Sequence, residues 1–99
     1  MTKYNPNVYV LGARPELWLT PRDRNDEFFT PTEMRLSVEQ PDGVIVTYSG
    51  AEMTLASGYY YVLYRPLLVG WYEYEGWVKD GTGREAAQTR GFEVTDRVY

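Results

Sequence analysis

Three groups of residues carry the chemistry this chain could attempt. Glu73 and Glu75 stand two apart in WYEYEGW. On one face of a strand they would lie ~6.5–7 Å apart, from the rise of extended chain. That gap borders the separation at which glycosidases set two carboxylates. A glycosidase also needs a cleft, which a flat sheet face does not supply, so the pair reads as a polar exterior. Asp23, Asn25, Asp26 and Glu27 (DRNDE) gather oxygens of the kind that hard cations coordinate. The spacing is not that of an EF-hand loop, and Arg22 and Arg24 interleave with positive charge, so the segment reads as a solvated loop. Ser37, Ser49 and Ser57 have no histidine to activate them, because the chain contains none. Asp80-Gly81-Thr82-Gly83 is glycine-rich, but a strand follows it rather than a helix N-terminus. It reads as a hairpin turn, not a phosphate cradle.

The chain's composition narrows the choices further. It has 99 residues, no cysteine and no histidine. Disulfides, thiolate metal sites and Cys nucleophiles are excluded together, along with the commonest general base. No cofactor and no metal are expected, and the chain reads as non-enzymatic. The net charge of −4 argues against nucleic acid, where clustered Lys and Arg should dominate. No apolar run reaches membrane-spanning length. No apolar run of signal-peptide length follows Lys3. The expectation is a protein made in a cytoplasm that stays there or leaves by a route other than secretion, such as a virus particle released by lysis.

The elements that must position these residues are strands. No apolar set at helical spacing persists over three turns. Residues 16–20 (ELWLT) alternate, with Leu17 and Leu19 on one face. Residues 33–40 (EMRLSVEQ) alternate too, with Met34, Leu36 and Val38 on one face. Pro41-Asp42-Gly43 turns the chain into residues 44–48 (VIVTY). A loop at 49–52 and a short edge strand at 53–55 follow. Residues 59–65, 71–79 and 84–94 complete the set, the last with a bulge expected near Gly91. About seven strands at 8–12 residue spacing read as an all-β sandwich. Residues 21–31 (PRDRNDEFFTP) read as a polar loop. Residues 1–13 read as an N-terminal arm, and residues 14–99 as one domain. Within the arm, Val8, Tyr9 and Val10 could pair with a sheet edge.

Aromatics make up 16% of the chain, ten of them Tyr, and eight rings fall within residues 58–77. Strand parity divides them. Tyr60, Val62, Tyr64, Tyr72 and Tyr74 share the inward face with Leu17, Leu19, Met34, Leu36, Val38, Phe92 and Val94. The charges of Glu73, Glu75 and Lys79 mark the other face of residues 71–79 as outward. Tyr59, Tyr61, Leu63, Trp71 and Trp77 are then surplus to the core, joined by Leu67 and Leu68 in the connection. Tyr and Trp are enriched where proteins dock, and exposed rings call for a cover. A partner protein is the favoured cover, with the arm or a sugar stacked on Trp71 and Trp77 as alternatives.

Gly58, Tyr60, Val62, Tyr64, Pro66, Gly70, Tyr72 and Tyr74 follow the pattern G-x-Y-x-V-x-Y-x-P-x-x-x-G-x-Y-x-Y. With the P-D-G hairpin before them, they resemble the late strands of immunoglobulin-like sandwiches of the filamin and bacterial Ig-like kind. Over residues 16–94 the order of elements is also similar to small Ig-like proteins found among the structural genes of tailed bacteriophages. The resemblance implies an immunoglobulin-like β-sandwich of antiparallel strands. It implies a virion structural protein, an adaptor at the head–tail neck or connector or a decoration of capsid or tail. Partners would be portal, connector, capsid or tail subunits, met by repeated copies in a symmetric assembly. The alternative is a carbohydrate- or surface-binding module that uses Trp71 and Trp77.

Overall fold

The computed structural model describes residues 8–96. Eight strands carry nearly all of the regular structure: β1 (Val8–Val10), β2 (Glu16–Leu19), β3 (Glu33–Glu39), β4 (Ile45–Ser49), β5 (Thr54–Ala56), β6 (Tyr59–Leu63), β7 (Gly70–Lys79) and β8 (Glu85–Thr95). One short 3-10 turn, Gly50–Glu52, interrupts them. The strands form two sheets, ordered β1-β8-β7-β3-β4 and β2-β6-β5. All pairings are antiparallel except β1 with β8, which is parallel.

Alternation explains which residues fill the space between the sheets. On β7, Tyr72, Tyr74, Gly76 and Val78 are buried while Glu73, Glu75 and Lys79 are exposed. Leu17, Leu36, Val38, Val62, Tyr64, Phe92 and Val94 meet Tyr72 and Tyr74 in one cluster drawn from both sheets. The Tyr72 and Phe92 rings stack there with centroids 4.9 Å apart. A second cluster, Leu19, Phe29 and Val78, fills the far end. The parity read from the sequence therefore holds, though Met34 and Tyr60 are only half-buried.

The turns follow from local chemistry. Gly43 N–H donates to Gln40 C=O and Gln40 N–H to Val44 C=O, with Gly43 at φ 88°. This is a type I turn closed by a left-handed residue, which glycine adopts without strain. Asp80 Oδ1 accepts from the Thr82 and Arg84 N–H groups and so shapes the β7–β8 turn.

Two sequence expectations need correction. No bulge interrupts β8, since its pairing with β7 runs unbroken from Gly70↔Val94 to Lys79↔Glu85. Gly91 is there for space instead, because the Trp71 indole lies where its Cβ would be. Residues 21–31 are not simply a solvated loop. Arg22 and Phe28 bridge, Phe29 N–H donates to Pro21 C=O, and Phe29 is 3% exposed. As expected of Val8, Tyr9 and Val10 in the arm, residues 8–10 pair with the edge of the larger sheet, and the Tyr9 ring meets Phe92 edge-on at 5.7 Å. Residues 1–7 of that arm lie outside the described residues.

Candidate interaction surface

Register determines where the surplus apolar side chains go. The start of β7 lies beside the end of β8, and Gly70 closes on Pro41 in the β3–β4 turn. The end of β6 lies beside the start of β2, and the end of β1 beside the end of β8. One end of the molecule is thus built from residues 8–15, 40–45, 63–71 and 93–96. Among the described residues, every exposed large hydrophobic except Phe28 and Leu55 lies there: Val8, Leu11, Val44, Ile45, Leu63, Leu67, Leu68, Val69 and Trp71. Leu67 is 75% exposed and Trp71 53%. Clustered apolar side chains of this size mark interaction sites on folded proteins.

Two anchors hold the surface in shape. Tyr72, fully buried, sends its hydroxyl to the Leu68 carbonyl at 2.7 Å and accepts the Leu68 N–H at 3.1 Å. One ring thereby fixes the connection that displays Leu67 and Leu68. Trp71 donates its indole N–H to Glu73 at 3.2 Å, and its ring rests on Gly91. Glu93 is its neighbour on β8, with Val8 beyond. Trp71 is an exposed ring held in one place, which lowers the entropy lost when a partner covers it.

The ten residues named from the sequence do not form one surface. Trp71 and Trp77 share the outer face of the larger sheet, six residues and ~20 Å apart at strand rise. Trp77 is half-buried and engaged by its own neighbours. Its indole N–H reaches Glu85 at 2.6 Å, and Arg35 and Lys79 lie over its ring at 5.1 and 5.5 Å. Tyr59 and Tyr61 lie on the outer face of the smaller sheet, half-buried beside Trp18, whose ring Arg90 covers at 4.0 Å. The Tyr59 hydroxyl is raised above its usual 10.0, first by its hydrogen bond to Glu16 and then by burial. Though parity puts Leu63 on the outer face of the smaller sheet and Trp71 on that of the larger, Leu63, Leu67, Leu68, Trp71 and Val8 do lie at the apolar end. Tyr9 and Val10 are half-buried in β1 behind it. The sequence reading missed Leu11, Val44, Ile45 and Val69, because only the register brings them to the same end.

The remaining candidates for chemistry are engaged elsewhere. Glu73 faces Glu39 on β3 and holds the Trp71 N–H, and Glu75 lies beside Ser37 and Thr89. Both glutamates sit on an open sheet face. In the DRNDE segment, Asp23 Oδ1 accepts the N–H groups of Asn25 and Glu27, and Arg84 approaches Asp23 Oδ2 at 3.9 Å. Among the described residues no cluster of three or more acidic side chains is arranged to hold a metal ion, and no helix is long and apolar enough to cross a membrane. A scan of protein-family models finds none that matches the chain, and no curated protein or solved structure matches it.

Proposed function

We propose that this chain is a protein-docking module with an immunoglobulin-like sandwich fold, and that it serves as a structural component of a tailed-phage virion. The observation that carries the docking reading is the exposed apolar end, where Tyr72 bonds the Leu68 backbone and Glu73 holds the Trp71 indole. Two features support the immunoglobulin-like assignment. The sheets run β1-β8-β7-β3-β4 and β2-β6-β5, with a parallel strand at the edge. Tyr72, at the start of the penultimate strand, bonds the backbone four residues upstream, as the tyrosine corner of that fold does. Two positions later, where antibody domains place the second cysteine of their disulfide, stands Tyr74, which is 5% exposed. An aromatic core would then replace the bridge in a chain that has no cysteine.

The virion role rests on the resemblance of residues 16–94 to phage Ig-like structural proteins, and the acidic charge agrees with a partner other than DNA. In a symmetric particle the same end would meet repeated copies of one partner, so weak contacts would add by avidity. The engagement of Trp77 with Arg35 and Lys79 weighs against a sugar platform spanning both tryptophans.

The test is mass spectrometry of purified particles produced by the genome that encodes the chain. A fixed ratio to portal, capsid or tail protein is the expected result, lost on Leu67→Asp with the fold intact by circular dichroism. Absence from such particles would overturn the virion role. Glycan binding that disappears on Trp71→Ala would move the reading to a sugar-binding module.

A further inference from the structure

A protein built from two open sheets has four sheet edges, and exposed edges invite pairing with another chain. Three of these are blocked or short. The β2 edge is capped by one side chain: Gln88 Nε2 donates to Trp18 C=O at 2.9 Å, and Gln88 Oε1 accepts the Thr20 N–H at 3.4 Å. The β1 edge is three residues long, and the Ala13 N–H already takes the Val10 carbonyl. The β5 edge is also three residues long.

β4 is different. It has five residues, and residues 44–49 (VIVTYS) carry no charge, proline or glycine. The bond from Gln40 N–H to Val44 C=O shows that Val44 faces β3. Strand alternation then turns the polar backbone groups of Val46 and Tyr48 toward β3, and those of Ile45, Thr47 and Ser49 outward. The Ser49 N–H is taken by Glu52 Oε1 at 3.0 Å. The N–H and C=O groups of Ile45 and Thr47 have no partner among the described residues. Ile45 is 61% exposed and Val44 52%.

We infer that a second copy of this chain pairs with β4, joining two five-stranded sheets into one of ten strands. The free groups fit each other around a two-fold axis. With Val46 opposite Val46, Ile45 of each copy faces Thr47 of the other, and each facing pair exchanges two hydrogen bonds. All four free groups per chain are then satisfied, and the Ser49 N–H stays with Glu52. The register one step along, with Thr47 opposite Thr47, would need that Ser49 N–H and is disfavoured. Side chains agree with the first register. Val46 meets Val46, Val44 meets Tyr48, and Ile45 meets Thr47, all uncharged, so an acidic chain meets itself along a strip free of carboxylates. A single strand pair falls in the small-interface class, so association is expected at about 10 µM to about 1 mM. The β4 strip shares Val44 and Ile45 with the apolar end but not Leu67, Leu68 or Trp71, so partner binding that fails on Leu67→Asp can be told apart from loss of β4 pairing.

The test is sedimentation of the full chain over that range, with amide exchange followed in parallel. The expected result is a concentration-dependent dimer in which the Ile45 and Thr47 amides become protected as concentration rises. Ile45→Lys places a charge on the strip, and Thr47→Pro removes one edge donor where proline is tolerated. Each should weaken the dimer tenfold or more with an unchanged circular dichroism spectrum. A wild type that stays monomeric throughout would overturn the inference. So would a dimer that survives both substitutions, or one that dissociates on Trp71→Ala while the Ile45 and Thr47 amides stay unprotected.

Discussion

The Trp71 indole occupies the space a side chain at residue 91 would need, so Gly91 and Trp71 form a matched pair across β7 and β8. The hydrogen bond to Glu73 sets the tilt of the ring, and the bare backbone of Gly91 gives it a floor. A methyl group at residue 91 would lift the ring from that floor. Gly91→Ala should therefore move the Trp71 indole N–H resonance in an NMR spectrum and weaken partner binding. Its effect on stability should stay within about 1 kcal/mol, since the ring is exposed and its displacement opens no cavity in the core. An unmoved resonance would show that the ring does not rest on residue 91.

Gly76 plays the same part inside the core. A Cβ there would come within 2.5 Å of Leu19 Cδ1, a side chain of the facing sheet. The glycine lets β2 approach β7 closely. Gly76→Ala should cost about 1–3 kcal/mol through overpacking. Leu19→Ala in the same chain should return part of that loss, because the two substitutions share one space. Denaturant unfolding of the two single variants and the double variant measures the coupling. Simple additivity would contradict the contact.

Both glycines show where sequence legibility ends. Parity in residues 71–79 was readable because Glu73, Glu75 and Lys79 alternate with Tyr72, Tyr74 and Val78 within one strand. Trp71 could be placed outside by the same logic. The reason for Gly91 could not be read, since it depends on which residue of β7 lies beside it. The apolar end was hidden likewise: Val44, Leu67 and Leu11 are far apart in sequence, and only pairing between strands brings them together. Phe29 was lost for a different reason. Its polar neighbours outvote it in composition, yet the Arg22–Phe28 bridge turns Phe28 out and Phe29 in. Two adjacent phenylalanines in a polar run were the available signal.

Tyr72 links the core to the docking surface, and its hydroxyl can be removed without disturbing its ring. Tyr72→Phe keeps the stack on Phe92 but takes the partner from both the N–H and the C=O of Leu68. The expected cost is about 0.5–1.5 kcal/mol, the usual net worth of a hydrogen bond, since water can reach the part-buried Leu68 backbone. The Leu68 amide should exchange faster, and partner binding should fall further than stability does, because residues 64–69 would no longer be held in one shape. A Leu68 amide whose exchange is unchanged would show that proline and packing fix the connection instead.

Asp80 ties stability to pH. Burial acts to raise its carboxyl, but hydrogen bonds from Thr82 Oγ1 and from the Arg84 and Thr82 N–H groups outweigh it, so the group sits below its usual 3.8 in the folded protein. A depressed folded value means that the unfolded chain takes up the proton first as pH falls. The contribution is complete above the unfolded value and disappears as pH drops through the folded one. Thermal midpoints should therefore decline as pH is lowered through and below 3.8. Asp80→Asn, which has no charge to titrate, should flatten that part of the profile and lower stability at neutral pH by loosening the β7–β8 turn. The Thr82 and Arg84 amides should lose protection in the same variant. A profile that keeps its acid slope after the substitution would overturn the assignment to Asp80.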